Sequence, residues 1–331
     1  MENNYTLITI LQKIDDPRIA RTRLHNLIDI LAISICSSMC GMTGWEEFEA
    51  FGKEKKKWFK TFLELPNGIP THDTFRRVFQ RLEPKQLQNA LTEWSIQLHQ
   101  SLEGKVVAID GKTLRASFDN TKGLAPLHTI SAFVAESNFV LGQTFVNDKE
   151  NEIVAIPELL NALEIKGAIV TIDAMGCQKK IAQQICKEKK ADYVLALKKN
   201  HPDLHDEVAA LFRLAEKHPE IPSDCFRSHD KGHGRIETRD CTCIETGPWL
   251  GHVAGDWAGL KTVAKILAQV ERKGKLSEET RYFLSSLPCN AKEIARAVRE
   301  HWKIENTLHW SLDVVFKQEF PQKFIFLYIK H

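Results

Sequence analysis

The sequence predicts an α/β protein in which an all-α N-terminal region precedes a mixed β-sheet with flanking helices and a β-rich insertion. Three observations predict this class. Apolar residues recur at helical spacing up to about residue 104, strand-like runs begin at Val106, and strands then alternate with helices until a second β-rich part interrupts them. With 331 residues, 43% of them hydrophobic, the chain is long enough to bury the core that such a fold needs.

Helices account for the N-terminal region, which we assign to residues 1–104. A first helix ends before Asp16-Pro17, a buried second helix covers Leu24 to Cys40, and an amphipathic third covers Trp45 to Leu63. After a turn, Thr71 caps a short helix from His72 to Leu82, and Pro84 begins another that runs to about Leu102.

Three arginines lie on the helix from His72 to Leu82. Arg77 and Arg81 are four residues apart and share a face, with Arg76 beside them. A helix, a tight turn and a second helix with arginines is typical of a module that reads a DNA groove. A solvated face on an ordinary helical domain explains the same pattern equally well.

From Lys105 the periodicity becomes that of strands. Val106 to Ile109, Thr129 to Ala135 and Val140 to Val146 are predicted as three successive strands. Ala168 to Asp173 and Tyr193 to Leu197 are two further strands, with helices predicted from Ile156 to Leu163 and from Gln178 to Lys189. A meander followed by alternating strands and helices indicates a mixed sheet with helices packed on its faces.

The β-rich insertion is predicted at about residues 220–288. Ile236 to Ile244, Thr262 to Arg272 and Thr280 to Leu287 alternate as strands do. At its start, His229, Asp230 and His233 could bind a metal, but no further ligand follows at a fixed spacing, so a basic loop that contacts phosphate is the preferred interpretation. A long helix is predicted after the insertion, from Ala291 to about Phe316.

Charge and cysteine usage exclude several classes of protein. The net charge of +2 predicts no general attraction to nucleic acid, so any basic surface must be local. The eight cysteines form no Cys-x-x-Cys pair, which favours a reduced, cytoplasmic protein. The N-terminus has no signal-peptide pattern, and the apolar run from Ile28 to Met42 is too short to span a bilayer, so no membrane association is expected.

Two apolar runs end in an aspartate that is followed by small residues. Val106 to Ile109 precedes Asp110-Gly111, and Ile169 to Ile172 precedes Asp173-Ala174. Asp-Gly after a strand is by itself a common turn signal. Two such strands in one sheet, however, could place two carboxylates side by side.

Polar residues also recur along the last helix. His301, Glu305, His309 and Asp313 are spaced four residues apart and form one stripe. Tryptophan, isoleucine and leucine flank the stripe on both sides, which is unusual for a solvated face. The pattern predicts that the stripe faces the interior or a cleft.

Three carboxylates from separate parts of the chain cannot all stay ionised in one site without a cation. Their hard oxygen atoms favour Mg²⁺ or Mn²⁺. Two such ions, roughly 3.5 to 4 Å apart, can activate an attacking oxygen and stabilise the leaving oxygen at a phosphodiester. The chain contains no Gly-x-x-x-x-Gly-Lys, Gly-x-Ser-x-Gly or His-Glu-x-x-His motif that would suggest another chemistry.

Four stretches of the sequence are similar to motifs of a known family. They read Val-Val-Ala-Ile-Asp-Gly-Lys from Val106, Val-Thr-Ile-Asp-Ala-Met-Gly-Cys-Gln from Val170, Ala-Leu-Lys-Lys-Asn-His-Pro from Ala196 and His-Trp-Lys-Ile-Glu-Asn-Thr-Leu-His-Trp from His301. They resemble the bacterial insertion-sequence transposases of the H-repeat-associated group. The resemblance implies a DDE enzyme with a ribonuclease-H-like catalytic domain, here residues 105–317.

The resemblance implies roles for individual residues. Asp110, Asp173 and Glu305 would bind the catalytic Mg²⁺ or Mn²⁺ ions, and the helical N-terminal region would bind DNA. The implied activity is transposition, in which strands are cleaved at the ends of an insertion sequence and transferred to target DNA. The implied partner is double-stranded DNA, and we expect a homodimer in the complex that pairs the two ends.

The sequence departs from the family pattern in two places. Related transposases often carry a tyrosine and an arginine before the catalytic glutamate and a lysine after it, where this chain has Val298, His301 and Leu312. Of these, only His301 is retained as a candidate DNA contact. The tail, residues 318–331, contains Pro321 and an aromatic cluster where an acidic pair and more helix are expected, which predicts a truncated or frame-shifted end.

The leading prediction is a metal-dependent DDE transposase. Basic residues from three parts of the chain are candidate phosphate contacts: Arg76, Arg77, Arg81, Lys198, Lys199, Arg235 and Arg239. Two alternatives stay open. One is a DNA-binding relic without catalytic activity, and the other is a two-metal nuclease that cleaves nucleic acid without joining strands.

Overall fold

The computed structural model of the chain describes residues 7–98, 101–114, 127–146, 152–232, 235–272 and 274–309. Within these ranges, helices surround one mixed sheet of nine strands. The predicted α/β class is confirmed: a mixed sheet with flanking helices and a β-rich insertion follows an all-α region.

The N-terminal region is built from short helices around one apolar core. They are α1 (Leu7–Leu11), α2 (Leu27–Met39), α3 (Trp45–Glu54), α4 (Lys56–Phe59), α5 (His72–Phe79) and α6 (Pro84–Leu98). The core includes Ile30, Phe48 and Phe75. It also includes Ala108 of the first strand and Leu308 near the end of the described chain, so the helical region packs directly on one face of the sheet.

The strands of the sheet are β1 (Val106–Leu114), β2 (Leu127–Val134), β3 (Phe139–Val146), β4 (Ile169–Ile172), β5 (Asp192–Leu197), β6 (Ser223–Gly232), β7 (Arg235–Glu245), β8 (Thr262–Arg272) and β9 (Lys275–Ser285). Their order across the sheet is β3-β2-β1-β4-β5-β9-β8-β7-β6. The pairs β1–β4 and β4–β5 are parallel and every other neighbouring pair is antiparallel. The insertion therefore continues the sheet from the edge of β5.

The other face of the sheet is covered by α7 (Glu152–Ala162), α8 (Lys179–Gln183) and α9 (Pro202–Lys217), and α8 continues as a π-helical turn (Gln184–Glu188). Val107 and Ile109 belong to the core on this face, whereas Ala108 belongs to the core of the helical region. This is the alternation that a strand buried on both faces requires.

The insertion carries a short helix, α10 (Gly251–Ala254). After it, the last described helix, α11 (Ala291–Lys303), crosses from the insertion to the first part of the sheet. Ile294 and Ala297 of α11 share a core with Val106 of β1 and with Cys243 and Ala264 of the insertion. Because both parts of the sheet hold α11, the residues that follow it are placed relative to both.

Several predicted boundaries are wrong. The helix predicted from Trp45 to Leu63 is divided into α3 and α4, α7 begins at Glu152, and β9 begins at Lys275. The α-helical part of the last helix ends at Lys303 and continues as a π-helical turn (Ile304–His309). The predicted remainder of that helix and the tail lie outside the described residues.

The strand that carries Asp110 also differs from its prediction. The sequence suggested that β1 ends at Asp110 and that Gly111 turns the chain. Instead, β1 continues to Leu114, and Gly111 pairs with Ile130 of β2. The antiparallel pairing with β2 continues past the point where the pairing with β4 stops, so Gly111 is a strand residue and its small size needs another explanation.

No helix in the described ranges is long and apolar enough to cross a bilayer.

Candidate active site

Two carboxylates lie side by side where two parallel strands separate. The pairing of β1 with β4 ends at Ile109 and Ile172, and Asp110 and Asp173 are the next residues. Neighbouring strands lie about 4.8 Å apart, and successive side chains alternate between the faces. Asp110 therefore points to the same face as Ala108, the face on which the helical region packs.

Both aspartates are held by main-chain groups close to them in sequence. The Oδ1 atom of Asp110 accepts a hydrogen bond from the N–H of Gly111 at 2.9 Å. The Oδ1 atom of Asp173 accepts from the N–H groups of Met175 at 3.1 Å and Gly176 at 3.4 Å. One oxygen of each carboxylate thus orients the side chain, which leaves the Oδ2 atoms to face a ligand.

Glu305 reaches the site on the π-helical turn after α11. Ile304 and Leu308, on either side of it, are buried in the core of the helical region, while Glu305 is exposed. Turns of this kind inside α-helices occur frequently at functional sites. On this turn, the side chains of Ile304 and Leu308 are buried and the carboxylate of Glu305 is exposed.

The residues of the predicted polar stripe on this helix differ in their exposure to solvent. His301 is half-buried, and its Nδ1 atom lies 3.0 Å from the hydroxyl of Thr171 on β4. His309 is buried, with Nδ1 at 3.7 Å from the Oδ2 atom of Asp110. Glu305 is exposed between them, because the π-helical turn breaks the regular spacing. Asp313 lies outside the described residues.

The pKa values show that the acidic side chains affect one another. Burial raises the pKa of Asp110 to about 7, and Asp173, Glu305 and Glu152 act in the same direction. Desolvation and the Asp173 carboxylate raise the pKa of Glu305, while the nearby Arg281, Lys112 and Lys198 act in the opposite direction. Burial lowers the pKa of His301 to about 4, against the opposite effect of Asp173, so its ring is neutral near pH 7.

A fourth acid near the site was not predicted from the sequence. Glu152, the first residue of α7, is 5% exposed and hydrogen-bonded through Oε1 to the Nε2 atom of His128, which is 2% exposed. The Nδ1 atom of His128 lies 3.0 Å from the hydroxyl of Thr113 on β1. A glutamate at the start of an otherwise apolar helix was the only available signal, and helix starts favour acidic residues for local reasons.

Comparisons with known proteins assign this arrangement to a family. The model of the transposase DDE domain matches residues 101–319, and the model of the region associated with that domain matches residues 8–95. The chain belongs to the DDE transposase family. The resemblance to the H-repeat-associated group, found in the sequence, is confirmed by the relatives described next.

Two relatives of this DDE transposase come from Escherichia coli. A putative transposase, YncI, of the O157:H7 strain is 40% identical over 317 residues, which cover 95% of this chain and 81% of the relative. The H repeat-associated putative transposase YhhI of strain K12 is 39% identical over 302 residues, or 89% of this chain and 79% of the relative. A solved piggyBac transposase synaptic complex with hairpin DNA has 10% identity and a TM-score of 0.41, and the match covers 93% of this chain and 63% of that one.

The acidic residues of this DDE transposase fit a divalent cation by the chemistry of their donor atoms. Carboxylate oxygens are the ligands that Mg²⁺ and Mn²⁺ prefer, and like charges around Asp110 are unfavourable without a cation. In the part of the chain that the structure describes, no three side chains are already arranged to hold a metal ion. Mg²⁺ is commonly bound by only one or two carboxylates, with waters and substrate phosphates completing its coordination, so the donor set remains suitable.

The predicted DNA contacts of the transposase lie in three places. Arg77 is exposed on α5, and Arg76 on the same helix pairs with Asp73 at 2.7 Å. The helix predicted to reach Leu82 ends at Phe79, so the exposed Arg81 lies in the turn after it. Lys198 and Lys199 are exposed just after β5.

The third set lies near Glu305. Arg235 and Arg239 line a groove of about 1250 Å³ between the insertion strands and α11. Glu305 lines the same groove. Arg239 pairs with Asp230 at 3.0 Å. Their contact with DNA, and that of the neutral His301, stays a prediction.

Proposed function

We propose that this DDE transposase cleaves DNA at the ends of an insertion sequence and joins them to target DNA, with Asp110, Asp173 and Glu305 as ligands of Mg²⁺ or Mn²⁺. The observation that supports this most directly is the proximity of the three carboxylates. Two come from adjacent strands and the third from the helix that both parts of the sheet hold. Asp173 and Glu305 raise the pKa of Asp110, and Asp173 raises the pKa of Glu305.

The residues of the site would each have a defined task. When bound, the metal ions would help to activate the attacking oxygen and to stabilise the leaving oxygen at the phosphodiester. Asp110 and Asp173 would bind them through carboxylates that hydrogen bonds from main-chain N–H groups to their Oδ1 atoms have already oriented. Glu305, on a separate element, would complete the site once DNA is bound. Thr171 would hold the ring of His301 beside Asp173.

The proposal extends to the organisation of the chain. Residues 1–104 would bind double-stranded DNA, residues 105–317 would carry out catalysis, and the insertion at about residues 220–288 would contact DNA next to the site. The groove that joins the insertion to Glu305 supports a path for DNA here. A homodimer would pair the two element ends, and a cytoplasmic location follows from the sequence prediction.

The test is a cleavage assay on DNA that carries an element end, with Mg²⁺ or Mn²⁺. Asp110→Asn should lower the rate on the order of 10³-fold or more, because metal ions contribute several kcal/mol of charge stabilisation. Asp256→Asn is a suitable control, since Asp256 is an exposed acid that pairs with Lys179 at 2.7 Å. Equal rates for the wild type and Asp110→Asn would exclude the assignment.

The same samples separate the two alternatives. A transposase should release cleaved ends and then join them to a target duplex. A nuclease should cleave without joining, and a DNA-binding relic should bind DNA in a salt-dependent way without cleavage. Binding, cleavage and joining are therefore measured on one preparation.

A further inference from the structure

We infer that Glu152 and His128 are positioning residues that hold the Asp110 carboxylate in place for the proposed reaction. The inference rests on the proposed function and adds two residues to it. Neither residue is assigned to bind the metal or DNA. They act through the main chain of Gly111, which follows Asp110 on β1.

The pair is buried directly behind β1. Glu152 and His128 are 5% and 2% exposed, and they are hydrogen-bonded to each other. His128 is also tied to the hydroxyl of Thr113, its cross-strand neighbour in the pairing of β1 with β2, at 3.0 Å. One buried network therefore connects the start of α7 with β2 and with the part of β1 that follows Asp110.

Gly111 is the point of contact between this network and the site. A Cβ atom at residue 111 would lie 2.7 Å from Cδ of Glu152 and 2.7 Å from Nε2 of His128, and it would also collide with Oε1 of Glu152. The pair thus occupies the space that any larger residue would need. This explains the glycine, which lies in a strand and makes no turn.

The contact is transmitted to Asp110 by one hydrogen bond. The N–H of Gly111 donates to Oδ1 of Asp110 at 2.9 Å, so a displacement of the Gly111 main chain would move the donor that orients the carboxylate. Glu152 also acts to raise the pKa of Asp110. A buried ionisable pair is seldom the most stabilising choice for a core, because desolvation offsets its attraction. Its position behind Asp110 supports a role in the site.

The test is a double-mutant cycle read by the binding of Mn²⁺ alone, measured by electron paramagnetic resonance. Gly111→Ala should weaken Mn²⁺ binding at least tenfold, because the added methyl group collides with the pair and shifts the main chain. Glu152→Asp should have a small effect. In the double variant, the shorter acid removes the collision with Glu152 but leaves the one with Nε2 of His128, so part of the loss in log Kd should be recovered.

A matched control distinguishes positioning from general crowding. Gly142 of β3 is also crowded, since a Cβ atom there would lie 2.7 Å from Cδ2 of Leu163, in an apolar contact of the core. Gly142→Ala should lower the midpoint of urea unfolding and leave Mn²⁺ binding within twofold of the wild type. If Gly111→Ala does not fold, Glu152→Ala replaces it. Removal of the support should weaken Mn²⁺ binding, and the isosteric Glu152→Gln should retain most of it.

The outcomes separate this inference from the proposed function. If the wild type binds Mn²⁺ and Asp110→Asn does not, the proposed metal site stands. Wild-type Mn²⁺ binding in folded Gly111→Ala or Glu152→Ala, or a double variant without recovery, would then overturn the positioning role alone. If Asp110→Asn binds Mn²⁺ as the wild type does, the metal assignment and the positioning role both fail.

Discussion

Two largely buried aspartates show how differently the helical region and the sheet use a carboxylate. Asp29, on α2, is 2% exposed, and its Oδ2 atom accepts a hydrogen bond from the N–H of Leu65 at 3.0 Å. Asp110, on β1, is surrounded by Asp173, Glu305 and Glu152, which together with its burial raise its pKa to about 7.

The difference indicates which carboxylate serves folding and which serves a reaction. Leu65 has a φ of +46°, in the left-handed region that leucine seldom adopts. The hydrogen bond that its N–H donates to Asp29 holds the turn at Leu65. Asp110 instead lies among like charges, which is unfavourable unless a cation binds. Asp29 and Asp110 each accept a main-chain hydrogen bond, so the gathering of other acids around Asp110 is the feature that identifies a site.

The largest effect should come from metal binding, which one variant in each region tests. Addition of Mn²⁺ at about 100 times its Kd should raise the free energy of unfolding of the wild type by about 2.7 kcal/mol, because the metal binds only the folded chain. Asp110→Asn should abolish this rise and Asp29→Asn should retain it. Thermal unfolding with and without Mn²⁺ measures both. An equal rise in all three proteins would remove the contrast.

The two aspartates of this candidate site could be predicted because their signal is local. A run of apolar residues followed by an aspartate is visible at Asp110 and at Asp173, and the sheet brings the two strands together. The all-α region and the insertion were visible for the same reason, since periodicity changes at their boundaries. Glu305 was found by its polar neighbours on a helix and by family resemblance.

The rest of the site depends on contacts between residues far apart in the sequence. Glu152 could not be assigned, because its position behind Gly111 depends on how α7 packs against β2. The π-helical turn at Glu305 could not be predicted either, because Ile304 and Leu308 are four residues apart and would share a buried face in an ordinary α-helix as well. Gly111 was misread as a turn residue because a glycine that makes room for a neighbour and one that bends the chain look the same in a sequence.

Replacement of Asp29 removes the carboxylate that stabilises the helical region. Asp29→Ala leaves the buried N–H of Leu65 without its acceptor and should destabilise the protein by about 1–3 kcal/mol. Asp29→Asn keeps an oxygen in the same place and should lose much less. Urea unfolding gives both values. Equal losses for the two variants would mean that the hydrogen bond is not what holds the turn.

A smaller effect is expected when the predicted DNA contacts of the helical region are neutralised. Arg77 is exposed on α5 and Arg81 is exposed in the turn after it. Each proposed phosphate contact contributes about 0.9 to the slope of log K against log salt. The double change to glutamine should lower that slope by about 1.8 and weaken binding on the order of tenfold, or about 1.4 kcal/mol. Mn²⁺ binding should not change.

The control for the arginines is a pair of lysines that flank the opposite face of the sheet. Lys187 and Lys190 are exposed and lie at the end of the segment that packs with α7 on that face. Their double change to glutamine removes the same charge and should leave the salt slope as it is in the wild type. An equal fall in slope for both pairs would indicate a general charge effect and no specific contact.

The smallest effect is a dependence of stability on pH that belongs to Asp29. Burial raises the pKa of Asp29 in the folded protein, with Glu64 acting in the same direction and His25 in the other. The folded protein therefore holds the proton more tightly than the unfolded chain, so this contribution is complete below the ordinary aspartate pKa of 3.8 and is lost as pH rises through the folded value. Asp29→Asn cannot ionise, so its stability relative to the wild type should increase as the pH rises from 3.8 towards neutral pH. Urea unfolding across that range measures the gain, and it is repeated with Glu64→Gln and with His25→Gln because both groups act on the pKa of Asp29. A constant difference at every pH would show that Asp29 does not titrate there.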